Sequence, residues 1–220
     1  TGLEAAKDVA AEFINGRPND NIGITLFAGE TFTQCPLTVD HAVLLDMIHN
    51  IKCGLITDGT AVGMGIANAV TRLKDSKAKS KVIILLTDGT NNKGDISPMT
   101  AAEIAKSFGI RVYTIGVGTN GMAPYPYPVG NTVQYVSMPV EIDEKTLTEI
   151  AGTTDGNYFR ATSNSKLKEV YEEIDKLEKT KLNVKEYSKR DEEYHWFALA
   201  AFLCVLLEVL LRNSVLKKIP

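Results

Sequence analysis

The sequence predicts an α/β fold: a mostly parallel sheet with helices on both faces. Three observations carry this. Strand-like apolar runs alternate with helical stretches of about ten residues or more, the pattern of parallel crossovers. Residues 82–86 (VIILL) form an unbroken apolar run, β-branched at its start, as in a strand buried on both faces. That run ends in Thr87-Asp88-Gly89-Thr90. A carboxylate followed by glycine at the carboxyl end of a buried strand sits where open α/β sheets bind ligands.

The elements follow in order. In residues 3–14, Leu3, Ala6, Val9, Ala10, Phe13 and Ile14 recur at helical spacing, and Asn15-Gly16-Arg17-Pro18 stops the helix. Residues 21–28 read as a strand, Gly29-Glu30 as a turn, and 31–33 as a short antiparallel partner at the sheet edge. Helices are expected over 39–51 and 59–73, the second entered through Thr57-Asp58-Gly59-Thr60. After strand 82–87 come helix 99–108, stopped by Gly109, and a second buried strand, 111–117. A short helix over 143–151, a short strand over 157–160 and a charged amphipathic helix over 165–182 complete the domain.

One segment breaks the rhythm. Residues 119–139 carry Pro124, Pro126, Pro128 and Pro139 interleaved with Tyr125 and Tyr127, and read as a long connection without regular structure. Such a connection is commonly functional. It leaves the carboxyl end of strand 111–117, on the rim that carries Asp88. Two readings stay open: a partner-binding loop using Tyr125 and Tyr127, or a surface insertion without consequence.

Composition is that of a globular chain: 220 residues, 44% hydrophobic and 23% charged, with a net charge of −3. Setting aside the residues after His195 leaves twenty-one bases against twenty-six acids. A mildly acidic body has no basic stripe to neutralise phosphates, which argues against a nucleic-acid partner. Cys35, Cys53 and Cys204 are too few and too scattered for a zinc site or a disulfide framework, and separate thiols are expected.

The tail has another character. After the charged stretch 183–193, fifteen of the sixteen residues 196–211 are apolar. As a helix, residues 194–211 would be roughly 27 Å long, close to a bilayer's hydrocarbon thickness. Tyr194 and Trp196 stand at one end, as interfacial aromatics do, and Arg212, Lys217 and Lys218 at the other. Glu208 has Arg212 as an i,i+4 partner. The chain therefore divides into a domain (1–182), a charged linker (183–193), a transmembrane helix (194–212) and a basic tail (213–220).

Asp88 and Thr60 are the best candidates for chemistry. Both belong to a TDGT tetrapeptide, at 57–60 and 87–90, expected on the carboxyl rim of the sheet. A carboxylate and a hydroxyl are hard oxygen donors and suit Mg²⁺ better than a soft metal.

With VIILLTDGTNNKGD, DGTAVGMGIANAV and RVYTIGVGT in this order and spacing, the chain resembles a von Willebrand factor type A (VWA) domain, a Rossmann-like fold. FAGETFTQCPLTVD, MPVEIDEKTLTEIA and LLEVLLRNSVLKKIP are further similar to membrane proteins of the Bat (Bacteroides aerotolerance) family, most like the BatA type. The resemblance implies a metal-ion-dependent adhesion site (MIDAS). There a D-x-S-x-S loop supplies direct ligands, a threonine matched by Thr60 ligates from a second loop, and an aspartate matched by Asp88 binds from a third. The open metal position takes a carboxylate from a partner protein. It further implies Mg²⁺, with Mn²⁺ or Ca²⁺ as alternatives, a bacterial inner membrane, and a role in aerotolerance or stress. The domain is expected on the periplasmic side, although the flanking charges, three bases after the helix and six in the eighteen residues before it, do not settle the facing. Its implied partners are other Bat-type membrane proteins and a MoxR-type ATPase.

The sequence departs from the family in one respect: it contains no D-x-S-x-S. In the family that loop ends a strand just before the first helix. The expectation is a domain truncated at its amino end, lacking the central strand between 21–28 and 82–87, with weak or absent Mg²⁺ affinity as a fragment. The alternative is a structural membrane scaffold with no functional metal site. An enzyme reading on Gly116-Val117-Gly118-Thr119-Asn120-Gly121 fails because Met122-Ala123-Pro124 cannot open the required helix. A haloacid-dehalogenase-type phosphatase would need an aspartate where Leu86 stands.

Overall fold

The structure is a computed structural model; it describes residues 2–52, 54, 56–118, 121–129, 132–140 and 142–188, and eight tail positions, 199, 201–203, 205, 208, 209 and 211. The chain divides into two compact units, Thr1–Lys179 and Thr180–Pro220.

The first unit opens with α1 (Gly2–Asn15), followed by the strands β1 (Ile22–Phe27) and β2 (Thr31–Thr38). Then come α2 (His41–His49), α3 (Val62–Leu73), β3 (Lys81–Thr87), α4 (Pro98–Ser107) and β4 (Ile110–Val117). A hairpin, β5 (Gly121–Val129) and β6 (Thr132–Val140), precedes α5 (Glu144–Thr153), β7 (Tyr158–Ala161) and α6 (Asn164–Ser188). β3, β4 and β7 form a parallel sheet in the order β3-β4-β7. This is the parallel layer that the buried run at 82–86 and the helical crossovers predict.

Local chemistry explains where the helices begin. Asp40 accepts the Val43 N–H, Ser97 the Thr100 N–H with Pro98 at the first helical position, and Asp143 the Thr146 N–H. Gly109 adopts φ +65°, where a left-handed residue closes α4 before β4.

β1 and β2 form a separate antiparallel ladder, and among the described residues β1 does not pair with β3. Two helices bridge these sheets instead, one on each face. On one side Val62 and Ile66 of α3 pack with Ile83 and Leu85 of β3, and Phe27 of β1 joins the same cluster. On the other, Val9 of α1 lies in the cluster that includes Val82, Ile84 and Leu86. Ile14 and Ala10 of the same helix pack with Ile22, Ile24 and Cys35.

Two expectations are corrected. β2 extends to Thr38 rather than ending at residue 33, because Ile22 and Ile24 continue to pair with Thr38 and Cys35. Residues 119–139 are not an irregular connection; they hold the antiparallel hairpin β5–β6. Tyr125 pairs in register with Val136 and Tyr127 with Gln134. The prolines misled because proline cannot donate to a ladder. Pro124, Pro126 and Pro128 of β5 and Pro139 of β6 all fall on alternate cross-strand pairs. On those pairs of an antiparallel ribbon the N–H groups point away from the partner, so nothing is lost. The strand β5 also begins at Gly121, where a dinucleotide fingerprint needs a helix.

Cys35 is a buried free thiol whose pKa burial raises; Cys53 and Cys204 lie outside the described residues. In the second unit, the described tail positions are helical, and Leu199, Phe202, Leu203, Val205, Val209 and Leu211 are exposed. The expected membrane span at 194–212 falls largely outside the described residues, as does its Arg212. Among those described, no helix is long and apolar enough to cross a membrane.

Candidate metal centre

Three loops meet at the carboxyl end of the parallel sheet. The first is the turn after β1, the second the segment entering α3, and the third the segment from Asp88 to Ser97 between β3 and α4. Ala61 N–H donates to Ala28 O at 2.7 Å and Gly29 N–H to Thr57 O at 2.8 Å, joining the first two. A Cβ on Gly29 would strike Asp58 O at 2.7 Å, so only glycine permits this approach.

The second and third loops are joined more tightly. Thr60 O accepts N–H groups from Asn92 at 3.0 Å and Lys93 at 3.3 Å. Asn92 Oδ1 accepts the Thr60 N–H at 2.9 Å, and Asn91 Oδ1 accepts the Val62 N–H at 2.9 Å. A Cβ on Gly63 would fall 2.1 Å from Ile96 O, so α3 packs backbone to backbone against the third loop.

Thr60 and Asp88 are therefore brought to one rim. A Cβ on Gly89, the residue after Asp88, would stand 3.1 Å from Thr60 Oγ1. Thr87, buried at the strand end, accepts the Gly89 N–H through Oγ1 at 3.3 Å and turns the chain outward. Asp88 is exposed and makes no hydrogen bond or ion pair among the described residues. Its carboxylate and the Thr60 hydroxyl are hard donors on adjoining loops, a set that fits part of the shell of a hard cation. It is not a whole shell: among the described residues no three His, Cys, Asp or Glu side chains are grouped to hold a metal.

The sequence did not single out Asn91 and Asn92. Asparagine after a TDGT turn signals only local capping, and their acceptors reach residues 29 and 32 positions away. His41 and His49 sit elsewhere: His41 Nε2 contacts Asp20 O at 2.9 Å and His49 Nδ1 contacts Leu45 O at 2.7 Å. The side chains of Tyr125 and Tyr127 lie outside what the structure describes.

A parallel α/β layer with threonine and aspartate meeting at its carboxyl rim defines a VWA-type domain, and the von Willebrand factor type A domain model matches residues 3–173. The chain belongs to that family. Among solved structures it is similar to a conserved hypothetical protein, BatB, from Bacteroides thetaiotaomicron (34% identity, TM-score 0.69, 80% of this chain and 88% of that one). It is similar also to an aerotolerance-related membrane protein from Bacteroides fragilis (30% identity, TM-score 0.68, 79% and 86%). A third, proximal thread matrix protein 1 from the mussel byssus, has a zinc-occupied MIDAS motif (25% identity, TM-score 0.60, 79% and 40%). An uncharacterized protein of Borreliella burgdorferi is 27% identical over 218 residues, covering 99% of this chain. The chain spans 64% of that relative's length.

Proposed function

We propose that this domain binds protein partners through a divalent cation held in part by Thr60 and Asp88, at a bacterial membrane. The observation that carries the reading is the placement of Thr60 Oγ1 beside Gly89, next to an exposed Asp88 that has no partner among the described residues. Thr60 would supply a neutral oxygen and Asp88 the charge that retains a cation. Mg²⁺ suits these donors, with Mn²⁺ or Ca²⁺ as alternatives. As the chain contains no D-x-S-x-S, the remaining positions would fall to water and to the partner's carboxylate. The cation supplies a Lewis-acidic position for a partner's carboxylate; the rim loops fix where that carboxylate arrives.

Two further observations bear on location. The described tail residues include six exposed large apolar side chains on helical backbone, the surface a membrane segment presents. Structural neighbours include an aerotolerance-related membrane protein. We infer membrane anchoring through residues 194–212, with the domain on the periplasmic side of an inner membrane. Other Bat-type membrane proteins and a MoxR-type ATPase are the proposed associates, in oxygen or stress tolerance.

In the full-length protein, Asp88→Ala should abolish Mg²⁺-dependent capture of partners from solubilised membranes while the circular-dichroism spectrum is unchanged. Capture that persists both in this variant and in EDTA would show that no metal bridge is involved. That second outcome would favour a purely structural scaffold.

A further inference from the structure

Thr60 is held from the Asp88 side rather than by its own loop. Asn92 grips its peptide at both ends: Oδ1 accepts the Thr60 N–H at 2.9 Å, and the Asn92 N–H donates to Thr60 O at 3.0 Å. One residue earlier, Asn91 Oδ1 accepts the Val62 N–H at 2.9 Å. That N–H opens α3, whose own N-cap, Ala61, makes no side-chain cap bond. Asn91 thus caps α3 from another loop, satisfying a donor that the helix leaves open. Lys93 extends the clamp: its N–H shares the Thr60 carbonyl at 3.3 Å, and its Cγ lies where a Cβ on Gly59 would fall, 2.6 Å away.

Both asparagines lie within four residues of Asp88. A threonine hydroxyl is a weak neutral donor that holds a cation only if already aimed. A loop free to turn would lose conformational entropy on binding, and groups behind the ligands commonly set affinity by tenfold or more. We propose that Asn91 and Asn92 are positioning residues of the cation site. They lock the Thr60 main chain to the strand end carrying Asp88, so that hydroxyl and carboxylate are set relative to each other before a cation arrives. This rests on the Thr60–Asp88 reading above, and its test separates the two.

The test uses the full-length protein with Mn²⁺ as the probe, followed by electron paramagnetic resonance, and amide hydrogen exchange at Thr60 and Val62 in EDTA. Asn92→Leu, close in size but without an acceptor, should weaken Mn²⁺ binding about tenfold and accelerate Thr60 exchange in the metal-free protein. Asn92→Asp keeps the acceptor and should restore both, which a merely space-filling role would not require. Asn91→Leu should accelerate Val62 exchange in the same way. Wild-type Mn²⁺ affinity in Asn92→Leu, with binding lost in Asp88→Ala, would overturn the inference while leaving the cation site standing. Asn92→Asp behaving like Asn92→Leu would overturn it too. If the wild type takes no Mn²⁺, the cation reading itself falls; the exchange measurement then decides the clamp, and unchanged Thr60 exchange in Asn92→Leu rejects it.

Discussion

At the residue scale, close approach does more than side-chain identity to build the rim. Gly63 lies in α3 with Ile96 O where its Cβ would be, at 2.1 Å. Gly63→Ala must push α3 or the third loop aside, an overpacking cost of about 1–3 kcal/mol. The expected result is a lower midpoint in urea, together with weaker Mn²⁺ binding in the full-length protein. An unchanged midpoint would show that the two backbones are not in contact. Asp143 gives a pH-dependent counterpart. The hydrogen bonds it accepts from Thr146 hold its carboxyl below the usual carboxylate range. Because its folded pKa is depressed, its contribution is complete above the unfolded value and fades as pH falls through the folded one. Acid stability should therefore drop below about pH 4. In Asp143→Asn, which still caps α5, the drop between pH 5 and pH 2.5 should be smaller; an identical acid profile would remove Asp143 from the account.

At the element scale, the sequence revealed more of the helices and parallel strands than of the antiparallel pieces. Strands 82–87 and 111–117 were legible because burial on both faces leaves a continuous apolar run. Residues 3–14 were legible because one apolar stripe must face two clusters. β5–β6 was hidden because proline lowers strand propensity wherever it stands, and only the pairing shows that its positions need no N–H. The anchoring of α6 was hidden as well. Glu178, buried, accepts from Tyr113 Oη at 2.6 Å, Arg111 Nη2 at 2.9 Å and Ser80 Oγ at 2.8 Å. Burial, with Glu178 beside it, pushes the Tyr113 hydroxyl pKa well up, so it remains a donor. Removing the carboxylate strands a largely buried Arg111. Glu178→Leu should cost about 3 kcal/mol, or roughly 10 °C in Tm for a chain of this size. A loss below 1 kcal/mol would mean that the network does not hold α6.

At the scale of the whole molecule, the folded unit has two unlike ends. Thr60 and Asp88 lie at the carboxyl rim, whereas Glu178 meets Ser80 and Arg111 where β3 and β4 begin. α6 thus starts just after β7, near the rim, and carries the chain to the opposite end of the domain. Sequence patterning could place Thr60 and Asp88 at strand and helix boundaries through their shared TDGT. It could not show that two asparagines bind the loops together, because that contact depends on tertiary packing. The central claim is that these two oxygen donors share one cation. Isothermal titration of the full-length protein with Mg²⁺, comparing wild type with a Thr60→Val, Asp88→Ala double variant, tests it most directly. The account predicts saturable binding in the wild type and none in the folded double variant; equal binding in both would contradict it.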